Sequence, residues 1–310
     1  MKMKPHRPAL LISFLILLLP ACAQQPANRA ATIEVPAGTT VHRDQPYVTG
    51  GHERQKLDLY LPPQGGKRPL IIWIHGGGWQ NGSKDNPPAL RFLAEGYAVA
   101  SINYRLSQHA IFPAQIEDCK AAVRWLRANA QKFGLDPNRF GVWGPSAGGH
   151  LAALLGTSGD VKEFDVGEKL NFSSRVQAVC DFFGPTDFLQ MDAHRLTNGM
   201  VHDTPDSPEA KLIGGPIQQN KAKVARANPI TYVTPDDPPF LIAHGDADPL
   251  VPHHQSKLLA EALLDARVNT NFYTVPGGGH GGFRDERLDL MVKEFFEAVL
   301  KQGKAEAGPK

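Results

Sequence analysis

Seven strand-length runs, most of them stopped by a glycine, limit this chain's fold more than any other feature. LIIWIH (70–75), YAVASINY (97–104), RFGVWG (139–144), VQAVCDFFG (176–184), PFLIAHG (239–245) and TNFYTVPG (270–277) read as strands buried on both faces. LDLYL (57–61) alternates apolar and polar, as a half-exposed strand does. Helical patterns lie between them. Pro113 opens one over 113–133, where Ile116, Cys119, Val123, Leu126, Ala130 and Phe133 recur on one face. SAGGHLAALLG (146–156) suits a helix packed deep against a sheet, and Leu288, Met291, Phe295 and Val299 mark a last helix. This alternation predicts an α/β fold with a mostly parallel sheet and helices on both faces.

Two stretches break the rhythm. Residues 157–175 are a polar insertion, and 184–238 are long and rich in Pro, Gly, Asn and Asp. A loop that long in a compact domain usually serves a binding function. The expectation is a small cap over the carboxyl ends of the strands, where open α/β sheets bind ligands.

The first residues read as an export signal. Lys2, Lys4 and Arg7 precede an apolar core, ALLISFLILLL (9–19), too short to span a bilayer. Two cleavage readings compete. Ala21-Cys22-Ala23 fits an ordinary signal peptidase, whereas Leu19-Pro20-Ala21-Cys22 resembles a bacterial lipobox, which would leave a lipidated, membrane-anchoring Cys22. The expected organisation is a signal over 1–22, a flexible tether over 23–45, one catalytic domain over 46–302 and a disordered tail over 303–310. Cys119 and Cys180 fall on apolar faces and read as free core residues. A formal charge of +2 without a basic run gives no support for nucleic-acid binding. Twelve histidines form no HExxH, so neither a metal nor another cofactor is expected.

The chemistry lies at the strand ends. G-P-S-A-G (144–148) is a G-x-S-x-G match between an apolar strand and a small-residue helix, the context of a nucleophilic serine on a sharp turn, here Ser146. H-G-G-G-W (75–79) follows another buried strand. Consecutive glycines let backbone N–H groups converge on one spot, as an oxyanion hole requires, with Gly77, Gly78 and Ala147 as donors. His75 reads as a structural hydrogen-bonding residue. HGDADPLVP (244–252) offers Asp246 or Asp248 as the acid, and VPGGGHGGF (275–283) offers His280 as the base. Asp246 could instead brace the turn. His150 and His244 read as packed or satisfied residues, and His253 and His254 as surface residues opening a helix.

With these four motifs in this order, the chain resembles an α/β-hydrolase of the HGGG-type esterase branch, which includes the hormone-sensitive-lipase-like enzymes. NYRLS (103–107), FPAQIEDCKAAVRWLRANA (112–130) and VWGPSAGGHLAALLG (142–156) are similar to the bifunctional feruloyl and acetyl-xylan esterase family. The resemblance implies an α/β-hydrolase fold of about eight strands. It places nucleophile, acid and base on Ser146, Asp248 and His280. It also implies a substrate carrying acetyl or feruloyl esters on plant polysaccharide, with 157–175 and 184–238 shaping the acyl pocket. A general carboxylesterase is the nearest alternative. A prolyl-oligopeptidase-type peptidase needs a large propeller, and only about 45 residues separate the signal from the first buried strand, against ~40–45 per blade. A non-catalytic binding module should lack a triad or oxyanion residue, and none is missing.

Overall fold

The structure, a computed structural model, describes Met1 and residues 35–303. The expected export signal beyond Met1, Cys22, most of the expected tether and residues 304–310 lie outside the described residues. Eight strands form one sheet: β1 (Thr40–Pro46), β2 (Lys56–Leu61), β3 (Arg68–Ile74), β4 (Ala98–Ile102), β5 (Leu135–Pro145), β6 (Ala178–Phe182), β7 (Phe240–Gly245) and β8 (Thr270–Val275). Their order is β1-β2-β4-β3-β5-β6-β7-β8. The β1–β2 and β2–β4 pairs are antiparallel, and every pair from β4–β3 onward is parallel. This is the α/β-hydrolase fold.

Helices cover both faces. They are α1 (Ala114–Ala128), α2 (Ala130–Phe133), α3 (Ala147–Thr157), α4 (Met191–His194), α5 (Pro208–Ile213), α6 (Lys221–Ala227), α7 (His254–Asp265) and α8 (Glu286–Phe296). The stretch expected as one helix over 113–133 breaks at Asn129. On one face Leu57, Leu59, Ile72, Ile74 and Val142 pack against Ile116, Cys119, Val123, Leu151 and Leu155. On the other, Ile71, Trp73, Trp143 and Cys180 pack against Phe92, Leu288, Val292 and Phe296. Cys119 and Cys180 are buried and unpaired.

Two sequence expectations need correction here. Residues 40–45 are not tether but most of β1, an edge strand whose polar side chains hide it from a hydrophobic reading. LDLYL is not half-exposed, because a 3-10 turn over Pro88–Glu95 covers the face that Tyr60 shares with Ile71 and Trp73. Asp58 is buried there and satisfied by Lys84 Nζ at 2.8 Å, Arg43 Nη1 at 2.6 Å and the Asp44 N–H at 2.8 Å. Burial pushes its carboxyl up, but these donors outweigh it and hold the pKa below the ordinary value.

Candidate active site

The parallel strands end at a common rim, and Ser146 stands there between β5 and α3. Its backbone is strained, with φ 55° and ψ −126°. The turn is held by the Ser146 N–H donating to Phe182 O at 2.8 Å and the His150 N–H donating to Ser146 O at 2.9 Å. The motif's second glycine is demanded by packing: a Cβ on Gly148 would stand 2.1 Å from the Ile74 carbonyl oxygen. The strand–turn–helix can thus close against β3 only with glycine there.

β7 and β8 bring in the remaining two groups. Asp248 follows β7 and is 2% exposed; His280 follows β8. His280 Nδ1 lies 2.7 Å from Asp248 Oδ2, and His280 Nε2 lies 3.0 Å from Ser146 Oγ. A carboxylate only accepts, so Nδ1 carries the proton and Nε2 is left to accept from the Ser146 hydroxyl. Asp248 also accepts from the Leu250 and Val251 N–H groups and from His244 Nε2. Burial pushes its carboxyl up, yet the bonds from His244 and His280 and from the Val251 N–H hold it well below the usual carboxylate range. Asp246 is exposed and accepts from the Gly277 N–H at 2.6 Å, so it braces the turn and stands apart from His280.

The HGGGW loop rises beside the serine. Gly77 adopts φ 107° and Gly78 φ 59°. Among the described residues the N–H groups of Gly77, Gly78 and Ala147 meet no acceptor, and all three residues border the cavity around Ser146. His75 anchors the loop. Its Nδ1 donates to Gly76 O at 2.7 Å, its Nε2 accepts from Arg54 Nη2 at 3.1 Å, and its ring stacks on Tyr104. Burial lowers its pKa to about 4, which keeps it neutral. Trp79 is a second anchor: its Nε1 donates to His150 Nδ1 at 3.3 Å, and His150 Nε2 donates to Ala227 O at 2.7 Å. His150, likewise pulled to about 4 by burial, ties the oxyanion loop, the serine helix and α6 together.

The cavity is about 780 Å³. Trp73, Trp143, Phe182 and Phe283, joined by Leu288, form a mostly aromatic wall, and Met200, His202, Pro208 and Glu209 form a second. The second wall comes from 184–238, which folds into short helices including α4, α5 and α6. The 157–175 insertion lines none of the cavity, contrary to expectation. Buried Arg124 holds it elsewhere, through Asp165 Oδ1 at 3.0 Å and the Val166 and Glu168 carbonyls. His253 and His254 open α7 but are half-buried, not surface residues: His253 bonds Thr274 Oγ1 at 2.9 Å and His254 stacks on His194.

Sequence reasoning missed three contributors. Phe183, with φ 44°, packs its ring 4.7 Å from that of His280 and limits where the imidazole can go. His244 reads in the sequence only as a satisfied residue, yet it touches Asp248; its place four residues upstream is the one available signal. The His202–Glu209 pair carries no signal at all. Among the described residues no group of three or more His, Cys, Asp or Glu side chains is arranged to hold a metal ion.

The BD-FAE family model matches residues 57–263. Esterase LipQ of Mycobacterium tuberculosis is 31% identical over 287 residues, covering 88% of this chain. The chain spans only 66% of LipQ's own length. Among solved structures, a truncated carbohydrate esterase from gut microbiota superposes with a TM-score of 0.77 at 37% identity, covering 84% of this chain and 97% of that one. A bifunctional GH43-CE protein from Bacteroides eggerthii superposes with a TM-score of 0.75 at 41% identity, covering 82% and 37% respectively.

Proposed function

The chain belongs to the BD-FAE family of α/β-hydrolases, and we propose that it is a serine carboxylic ester hydrolase that deacylates acetyl or feruloyl esters on plant polysaccharide. One observation carries the chemistry: Ser146 Oγ, His280 and Asp248 form a continuous hydrogen-bonded chain at 3.0 and 2.7 Å. Ser146 Oγ attacks the ester carbonyl carbon while His280 Nε2 takes its proton. Asp248 stabilises the resulting imidazolium through Nδ1–H. The oxyanion is held by the N–H groups of Gly77, Gly78 and Ala147. Collapse expels the alcohol oxygen, which takes the proton back from His280. A water, deprotonated by His280, then cleaves the acyl-enzyme and restores Ser146.

The polysaccharide substrate is supported by the names of the two carbohydrate-linked structures and by the aromatic wall, which suits a planar acyl group. A general short-chain carboxylesterase is the second reading, favoured by the similarity to an esterase such as LipQ. The test has two parts. Ser146→Ala should abolish hydrolysis of p-nitrophenyl acetate with the fold retained, and undiminished turnover would overturn the triad. A panel of acetyl-xylan, methyl ferulate and p-nitrophenyl esters of graded length then separates the readings, since a general esterase prefers the last group.

Export is part of the same proposal and rests on the sequence of residues 1–22 alone. If Cys22 is lipidated, globomycin causes the precursor to accumulate; unchanged processing in its presence leaves ordinary secretion.

A further inference from the structure

The cap's wall of the cavity carries a hydrogen-bonded histidine–glutamate pair that the ester chemistry above does not use. His202 is 1% exposed and Glu209 3%, and both border the cavity. His202 Nδ1 lies 3.1 Å from Glu209 Oε2. That is the one hydrogen bond the Glu209 carboxylate makes among the described residues. A carboxylate offers about four acceptor sites, and a buried one is costly when they stay open.

The other buried acids of this chain solve that problem internally. Asp58 takes three donor groups, Asp118 takes Gln55 and Arg105, and Asp248 takes four donors. Asp181 has one partner and responds by holding its proton, with a pKa pushed up to about 7 by burial. Glu209 differs from these in where it stands, because it faces a space that a ligand can enter.

Its position is close to the reacting groups. Pro208, the residue before it, has its Cβ 3.4 Å from where a Cβ on Gly78 would stand. Leu250 and Val251, which follow Asp248, border the same cavity. The pair therefore adjoins the oxyanion loop on one side and the acid loop on the other.

We propose that Glu209, held in place by His202, is a hydroxyl-binding subsite that accepts a hydrogen bond from a free hydroxyl of the bound substrate. The inference rests on the esterase reading and narrows it to substrates that carry a free hydroxyl on the group at one side of the ester. That hydroxyl can belong to the alcohol side, a sugar ring, or to the acyl side, a phenol. A site built around a buried acceptor discriminates strongly against analogues lacking the donor, because the acceptor is then left unpaired.

The test uses the full chain and two matched pairs: a monoacetylated methyl xyloside with ethyl acetate, and methyl p-coumarate with methyl cinnamate. Selectivity is the ratio of kcat/KM for the hydroxyl-bearing member to that of its partner. Glu209→Leu should lower selectivity in one pair by roughly 10- to 100-fold, mostly through KM, as expected for a hydrogen bond to a charged acceptor. The affected pair identifies the side of the ester that carries the hydroxyl. Glu209→Gln preserves shape and should give a smaller loss in the same pair; it carries the comparison if Glu209→Leu fails to fold. Losses equal for both members of each pair, which leave selectivity unchanged, would reduce the His202–Glu209 pair to a structural brace and overturn the subsite, as would no loss at all. If the wild type hydrolyses no ester at all, the esterase reading itself falls, and the subsite with it.

Discussion

His244 Nε2 lies 3.2 Å from Asp248 Oδ2, the same oxygen that His280 Nδ1 meets at 2.7 Å. Two imidazoles thus share one carboxylate oxygen. His244 is fully buried, its Nε2 also meets Val251 O at 3.0 Å, and its Nδ1 faces Ser256 Oγ at 2.7 Å. Both Nε2 neighbours are acceptors, so Nε2 carries the proton and Nδ1 accepts from the serine hydroxyl. His244 is a positioning residue: it fixes the carboxylate that fixes the base.

Removing that donor should cost activity without touching the reacting atoms. His244→Leu is expected to lower kcat by roughly 10- to 100-fold, the worth of a hydrogen bond to a charged group. His244→Gln, whose amide N–H can replace Nε2–H, should recover part of it. A stability effect accompanies this. The depressed Asp248 pKa contributes stability that is present above the unfolded carboxylate value and lost as pH falls through the folded one. That share of the difference between wild type and His244→Leu should therefore shrink in urea melts as the pH is taken below about 4. Wild-type kinetics in His244→Leu would remove His244 from the site.

The two aspartates of HGDADPLVP separate cleanly. Asp248→Asn should reduce turnover on the order of 10⁴-fold, because His280 loses the group that sets its tautomer. Asp246→Asn keeps an oxygen for the Gly277 N–H but removes its charge, which costs at most about 1 kcal/mol of stability, and should keep most activity. Ester hydrolysis and urea midpoints measured on both variants check the assignment; the opposite ranking would overturn it.

Gly77 is the most sensitive point of the oxyanion loop. A Cβ there would stand 2.4 Å from the Asn81 carbonyl oxygen, at a φ of 107° that L side chains rarely adopt. Gly77→Ala must displace the loop and its N–H donors. The expected loss is on the order of 10²–10³-fold in kcat, the effect of losing one oxyanion donor. Circular dichroism should stay native-like, since the strands beneath the loop are untouched; a kcat near wild type would mean that the loop supplies no donor.

Asp181 should make stability depend on pH. It sits in β6 behind the serine turn, with Oδ1 accepting from the Gly184 N–H at 3.0 Å and Oδ2 unpartnered among the described residues. Burial raises its pKa from 3.8 to about 7, so the folded state binds the proton more tightly than the unfolded chain. Stability from this group is therefore full below about pH 4, falls as the pH rises toward 7 and then levels off. Asp181→Asn removes that slope. Its stability relative to wild type should rise across this window by up to about 4 kcal/mol, since each tenfold difference in proton affinity is worth about 1.4 kcal/mol. Parallel pH profiles in urea melts would show that Asp181 is ionised in the fold.

The sequence by itself determined the sheet's buried strands, the order of the four motifs and the identities of the serine and histidine. Those signals are local: an apolar run or a glycine between two bulky neighbours imposes its geometry within a few residues. β1 escaped because an edge strand with polar faces leaves no periodic mark, and Asn129 broke a helix whose apolar face continued past it. The family resemblance already put the acid on Asp248; tertiary structure supplied the geometry, turning that carboxylate inward to His280 and Asp246 outward to the Gly277 backbone. It put the 157–175 insertion beside Arg124 rather than the cavity, and it set His202 and Glu209 into the cavity wall. Each of these depends on which side chains meet across long separations, 134 residues for Ser146 and His280. Such meetings follow from how the sheet and cap close together, and no short stretch of sequence encodes them.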